Sequence, residues 1–349
     1  MADLTIRRPG TTTLNATTGC GIHGLLAAAH STEVVAIDSN PRAVELVLFN
    51  ASLNGLRHVV CRRGEATELS SERTFDLVVC DPSLPIAPPP LTSTPVRILP
   101  RHGSYEALVR LLPKFLQPGG YTQILIQWVH LGGEDDLERL RQWVGKSGCD
   151  AWLLRFTTQD PVTHTLEWLP EPPDENLGPL ALRLDPWLVY YAQQGIEAVS
   201  SGFLTLHARS EETNWFICED LPECAGSCGE ALLRGFQNRT FLSSLTDEDS
   251  LLEARIRVVP EALCEQHTQP RDGSSNVTSA QLRLPEGLVR TLQVDDNVMA
   301  FLIGCQGQRT LRQLLTELAA TLQQEPAVVI SEGIQLVRTL MDQGFVTPA

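Results

Sequence analysis

The chain has 349 residues, 42 acidic side chains against 27 Lys and Arg, a formal net charge of -15 and a pI near 5.0. That length exceeds a typical domain and predicts two, and the acidity suits a soluble protein while opposing broad contact with a phosphate backbone, which relies on Lys and Arg. No apolar run approaches the roughly 20 residues that span a bilayer, MADLTIRRPG lacks the apolar segment of a signal peptide, and the scattered cysteines read as reduced thiols, so a cytoplasmic protein without a membrane segment is expected.

After a short polar opening with a turn at Pro9-Gly10, residues 12–38 predict a strand, a glycine turn, a helix and a second strand. Few residues precede that first strand, so substrate recognition is expected from elsewhere in the chain. The turn, Thr17-Thr18-Gly19-Cys20-Gly21, carries two glycines that let bare backbone approach a ligand. The run Val34-Val35-Ala36-Ile37 predicts a strand buried on both faces, and Asp38 ends it. In doubly wound sheets ligands bind beyond the carboxyl ends of the strands, and an acid about 20 residues after the glycine turn is placed for ribose hydroxyls. Asp38 is therefore the candidate ribose ligand. Gly19, Gly21 and Gly24 also fit G-x-G-x-x-G, so the glycines alone leave dinucleotide and other nucleotide sites both open.

Asn40-Pro41 opens a helix with apolar residues at helical spacing, and Asn54-Gly55 stops it. Residues 58–62 predict a third strand, followed by Gly64-Glu65. The fourth, Phe75–Cys80, runs directly into Asp81-Pro82-Ser83-Leu84. Beyond a proline-rich loop over 82–100 come a helix at 104–116, a stop at Gln117-Pro118-Gly119-Gly120, a strand at 121–129, a helix at 134–144 and a strand at 150–156. Residues 157–179 read as a loop insertion, 186–194 as a helix and 202–208 as the last strand of the first domain, residues 1–210. A linker is expected over 211–253, with one candidate strand at 214–219. Cys218, Cys224, Cys228 and Cys264 lack zinc-ribbon spacing, so no metal is expected. Histidines 30, 58, 102, 130 and 164 share no spacing; His23, inside the nucleotide turn, is the one that merits mutation. A small α+β domain over 254–349 is expected to hold strands at 254–266 and 280–284 and helices at 295–305, 310–322 and 328–343.

Asn15-Ala16-Thr17-Thr18-Gly19-Cys20-Gly21 resembles the first motif of class I S-adenosylmethionine-dependent methyltransferases, with Asn15 where that motif carries an acid. Asp81-Pro82-Ser83-Leu84 resembles the D/N-P-P-Y/F motif of methyltransferases that modify planar nitrogen groups, such as the release-factor glutamine and ribosomal RNA guanine enzymes. Ser83 replaces its second proline and Leu84 its aromatic ring. The order of these motifs along alternating strands and helices implies an α/β, doubly wound Rossmann-like methyltransferase sheet. The resemblance implies S-adenosyl-L-methionine as cofactor, bound by Asn15, Thr17, Gly19, Gly21, Asp38, Glu65 and Asp81. Glu65 would receive the adenine amino group, and Asp81, Pro82 and Ser83 would form the catalytic site. The tail, with its turn over 304–311, resembles winged-helix modules and the small peptide-binding domains typified by the chaperone of pyrroloquinoline quinone biosynthesis. It implies a protein or peptide substrate, a small molecule being the second choice and nucleic acid disfavoured. Packing or formation of a homodimer is the other reading of the tail, and a catalytically silent binding protein the other reading of the whole chain.

Overall fold

The computed structural model describes residues 1–69, 73–82, 86–88, 105–169, 180–209, 214–271 and 274–349. Ser83 and Leu84 of the candidate motif, most of the proline-rich loop and part of the expected insertion at 157–179 lie outside the described residues. The chain divides into two units, one of Met1–Ala2 with Arg7–Leu221 and one of Asp3–Ile6 with Pro222–Ala349.

The larger unit alternates β1 (Thr11–Ala16), α1 (Ile22–Ala27), β2 (Ser31–Asp38), α2 (Pro41–Leu53), β3 (Val59–Arg63), β4 (Phe75–Cys80), α3 (Tyr105–Leu111), β5 (Leu116–Leu131), α4 (Asp136–Val144) and β6 (Cys149–Gln159). It closes with α5 (Pro161–Trp168), α6 (Leu180–Gln194), β7 (Ile196–Ala208) and β8 (Phe216–Asp220). These strands form one sheet in the order β3-β2-β1-β4-β5-β7-β6-β8. The first five pair in parallel; β7 runs antiparallel to both β5 and β6, and β8 joins β6 in parallel.

Both faces of the sheet are covered, and β2 records this in its alternation. Val35 and Ile37 enter a core with Leu108 and Val109 of α3 and Leu140 of α4, whereas Val34 and Ala36 enter one with Val47 and Ala51 of α2. A strand buried twice reads as a continuous apolar run, which is why 34–37 was recognisable. The helix starts follow their capping residues. The Asn40 side chain accepts from the Arg42 N–H, and those of Asp135 and Asp160 each accept from two backbone N–H groups at the starts of α4 and α5.

The smaller unit holds β9 (Cys224–Ala225), α7 (Gly229–Ser244), α8 (Glu248–Glu253), β10 (Arg255–Val258), β11 (Leu263–Arg271), β12 (Ser274–Leu284), β13 (Gly287–Leu288) and β14 (Arg290–Val294). α9 (Asp296–Gly304), β15 (Gln306–Thr310), α10 (Leu311–Leu322), α11 (Pro326–Asp342) and β16 (Val346–Pro348) follow. Two three-stranded sheets, β15-β10-β16 and β11-β12-β14, pack with the helices around a core that includes Leu251, Ile256, Phe301, Leu315, Val337 and Phe345.

Three expectations change. The stretch 211–253 is no linker: it supplies the eighth strand of the large sheet and then β9, α7 and α8. The turn over 304–311 contains β15, which pairs with β10. The loop expected over 157–179 begins with the end of β6 and all of α5. No helix among the described residues is long and apolar enough to cross a membrane.

Candidate functional site

β1 lies between β2 and β4, so its two neighbours are reached by crossovers on opposite sides and a crevice opens at its carboxyl end. The register there is informative. Ala16 stands opposite Ile37 on one side and Cys80 on the other, and Ile37 opposite Arg62. This rung is the last of β1 and β4 and the last but one of β2 and β3. The next residue after each of the three central members is Asp38, Thr17 or Asp81, and Glu65 lies three residues beyond Arg62 on β3. The candidate residues, separated in sequence, leave the sheet along a single edge.

The loop between β1 and α1 is shaped from behind. The Asn15 side chain is fully buried; its Oδ1 accepts from Thr18 Oγ1 at 2.6 Å and from the Gly24 N–H at 3.1 Å, while Nδ2 donates to the Val79 carbonyl at 3.4 Å. An acid in its ionised form would lack the donor for Val79. Asn15 therefore faces the loop and β4 from inside. Thr17 holds a left-handed backbone conformation with φ 56°, uncommon and costly for a β-branched residue. Its hydroxyl lies 3.4 Å from the Cys80 sulfur, whose thiol burial pushes up to about 12.

The two glycines serve different needs. Gly19 has φ 54°, and a Cβ built there would meet nothing within 4 Å, so the outer side of the loop is open. Gly21 has φ 93°, and its Cβ would come within 2.9 Å of Val47 Cγ2, so the absent side chain lets the start of α1 settle against α2. Asp38 closes the loop from the front. Its Oδ2 accepts from the Gly19 N–H and its Oδ1 from the Asn40 N–H, each at 2.9 Å. Both oxygens keep a second lone pair, and the residue remains part-exposed. An open backbone turn beside a carboxylate at a strand end fits a nucleoside with free ribose hydroxyls.

Beyond β4, Pro82 is buried and the Asp81 side chain is 44% exposed. Asp81 Oδ2 lies 3.1 Å from His23 Nε2. Glu65, part-exposed, precedes a short 3-10 turn, where its N–H donates to Glu68 Oε2 at 3.1 Å and its Oε2 accepts from Thr67 Oγ1 at 3.4 Å. The structure thus gathers Thr17, Gly19, Asp38 and Asp81 at the crevice edge, sets Asn15 beneath the loop, and leaves Ser83 outside the described residues. The contact sequence reasoning missed is His23 with Asp81. Position within the glycine turn was its only signal.

The strand order, with its antiparallel seventh strand and a glycine turn at the switch point, decides the fold. The larger unit has the fold of class I S-adenosylmethionine-dependent methyltransferases. Outside this methyltransferase-fold unit, residues 234–348 match a family model described as a domain of unknown function (DUF7782). A release factor glutamine methyltransferase from Xylella fastidiosa (strain 9a5c) is 32% identical over 123 residues, which are 32% of this chain and 45% of the relative. The chain therefore spans less than half the length of the curated relative it matches. Among solved structures, the YcgJ protein from Bacillus subtilis gives a TM-score of 0.41 at 12% identity, over 60% of this chain and 97% of that one. A SAM-dependent methyltransferase from Thiobacillus denitrificans, in complex with S-adenosyl-L-homocysteine, gives 0.36 at 20% identity, over 60% and 88%. Among the described residues no group of three or more His, Cys, Asp or Glu is placed to hold a metal ion.

Proposed function

We propose that the methyltransferase-fold unit binds S-adenosyl-L-methionine at the carboxyl ends of β2, β1 and β4 and methylates a nitrogen of a protein or peptide. The single observation that carries this reading is the shared rung Ile37, Ala16 and Cys80, which puts Asp38, the glycine turn and Asp81-Pro82 at one level of the switch point. Asp38 accepts from ribose hydroxyls, the backbone of Thr17, Gly19 and Gly21 lines the cofactor's other side, and Glu65 receives the adenine amino group. When bound, the cofactor supplies an electrophilic methyl group on a sulfonium. The protein's own task is to hold a substrate nitrogen in line with it. The Asp81 carboxylate and the Pro82 carbonyl accept hydrogen bonds from the nitrogen's N–H groups, which orients its lone pair at near-attack geometry. Asn15 acts through the loop it shapes. The protein acceptor is supported by the likeness to a release factor glutamine methyltransferase.

Two measurements test the reading in sequence. Calorimetry with S-adenosyl-L-methionine is expected to detect binding to the wild type and a loss of about tenfold to a hundredfold in Asp38→Ala, as befits charge-assisted hydrogen bonds. No binding at millimolar cofactor sinks the assignment. Labelled methyl transfer is then followed into purified peptide-chain release factor and into cell extract. Asp81→Ala is expected to abolish the labelling even at saturating cofactor. Label recovered in a small molecule instead would move the acceptor to that class. A catalytically silent binding protein is the second reading, favoured by Leu84 standing where the resembled motif has an aromatic ring; it predicts cofactor binding without any labelled product.

A further inference from the structure

One contact at the crevice has no part in the roles assigned so far. His23 stands in the first turn of α1, and its Nε2 reaches Asp81 Oδ2 across the switch point at 3.1 Å. The imidazole is 14% exposed and the carboxylate 44%, so the ring lies deeper than its partner. Its Nδ1 is buried and has no hydrogen-bond partner among the described residues. A carboxylate in its ionised form only accepts, so Nε2 must carry the hydrogen. Nδ1 is then a bare lone pair, which avoids the heavier cost of a buried N–H without an acceptor.

The backbone under His23 is held on both sides. Gly21 seats the start of α1 against Val47, and the Gly24 N–H is tied to Asn15 Oδ1 at 3.1 Å. Asp81 follows directly on Cys80, a fully buried residue of β4. A short bond between two anchored elements fixes the torsion of the carboxylate, and with it the direction of the oxygen that His23 does not use.

We propose that His23 is a positioning residue for methyl transfer: by donating from Nε2 to Asp81 Oδ2 it turns Oδ1 toward the substrate nitrogen. This rests on the methyltransferase reading above. A neutral imidazole leaves the negative charge on Asp81, so the substrate nitrogen meets a carboxylate oriented before it arrives. Positive charge develops on nitrogen as the C–N bond forms and the C–S bond of the sulfonium breaks, its electron pair staying on sulfur as a neutral thioether, and that fixed charge stabilises it. The methylated nitrogen then sheds one proton to solvent past the exposed Asp81 carboxylate. An acceptor nitrogen that retains an N–H after methylation satisfies the same oxygen throughout.

The test has a structural arm and a kinetic arm. In the 349-residue protein, imidazole nitrogen NMR is expected to find His23 as the Nε2-protonated tautomer and to lose that preference in Asp81→Ala; an Nδ1-protonated ring, or one indifferent to Asp81→Ala, overturns the proposal. With labelled S-adenosyl-L-methionine and release factor or extract as acceptor, His23→Leu is expected to lower the maximal rate about tenfold to a hundredfold, the scale of a misplaced reacting group. Cofactor affinity and melting temperature stay at wild-type values. His23→Gln, which keeps a donor near the Nε2 position, restores most of the rate, and His23→Leu adds nothing in an Asp81→Asn background because the two act as a unit. An unchanged rate in His23→Leu, or equal losses in the Leu and Gln variants, overturns the positioning role while leaving the methyltransferase reading intact. A wild type that binds cofactor and labels nothing overturns that reading and the role that depends on it.

Discussion

Asn15 shows how a departure from a motif can be a solution. Where the resembled motif carries an acid, this chain has a buried amide that accepts from Thr18 and Gly24 and donates to Val79. Asn15→Ala strands two buried donors, each costing about 1 to 3 kcal/mol, so it is expected to lower stability by about 3 kcal/mol in urea unfolding. An unchanged unfolding midpoint would show that the loop does not depend on the amide. At this scale the sequence disclosed Asp38, Gly19 and Asp81, because each follows a recognisable apolar strand or sits in a glycine turn. It concealed the partner of Asp81. His23 lies near the other end of the same constellation, and only the pairing of β4 beside β1, which leads into α1, brings the two together.

At the scale of elements, legibility followed apolar contrast. The buried parallel strands announced themselves, and so did α2 and α10, with their apolar stripes and capping side chains, and α11, with its apolar stripe and Pro326 at the start. β15, Gln306–Thr310, holds no apolar side chain and exists by its backbone pairing with β10, so no periodicity marks it. α7 was hidden for the opposite reason: among its buried residues are Asn238 and Arg239 beside Leu232 and Phe236, which blurs the stripe. Asn238 Nδ2 donates to the carbonyls of Met341 and Val346, both at 2.8 Å, so the polar residue belongs to the packing. α5 did carry a start signal, Asp160-Pro161, inside a stretch whose prolines and acids otherwise suggest a loop.

β7 also supplies a pH dependence. His207 stacks on Tyr121 of β5 with ring centroids 4.4 Å apart, and burial lowers its pKa to about 4, with Arg209 and Arg8 acting in the same direction and Asp150 opposing them. Below the ordinary histidine value of about 6.5 the unfolded chain takes up a proton that the folded strand refuses. This contribution to stability is therefore full above about pH 6.5, declines as pH falls toward about 4 and then levels off. His207→Phe keeps a ring against Tyr121 and removes the titration. Its melting temperature is expected to fall less than that of the wild type between about pH 7 and pH 4, and parallel curves would contradict the assignment.

For the molecule as a whole, the sequence suggested two units, with a boundary near residue 210 where the larger unit continues to Leu221. The first sheet continues through β8, and the smaller unit takes in Asp3–Ile6 from near the start of the chain. No local pattern signals that assignment, because it depends on a backbone contact: the Cys228 N–H donates to the Asp3 carbonyl at 2.6 Å. Gly229 is needed beside it, since a Cβ there would lie 2.3 Å from the Thr5 carbonyl oxygen.

That threaded segment sets an order of events during synthesis. Residues 3–6 leave the ribosome long before α7 exists to receive them, and joining them to Cys228 closes a loop containing the whole larger unit. Closure entropy rises with the length of flexible chain enclosed, so a loop already condensed into a folded unit is less costly to close than an open one. The smaller unit therefore gains most by completing itself last, with residues 3–6 held in reserve for its final contacts.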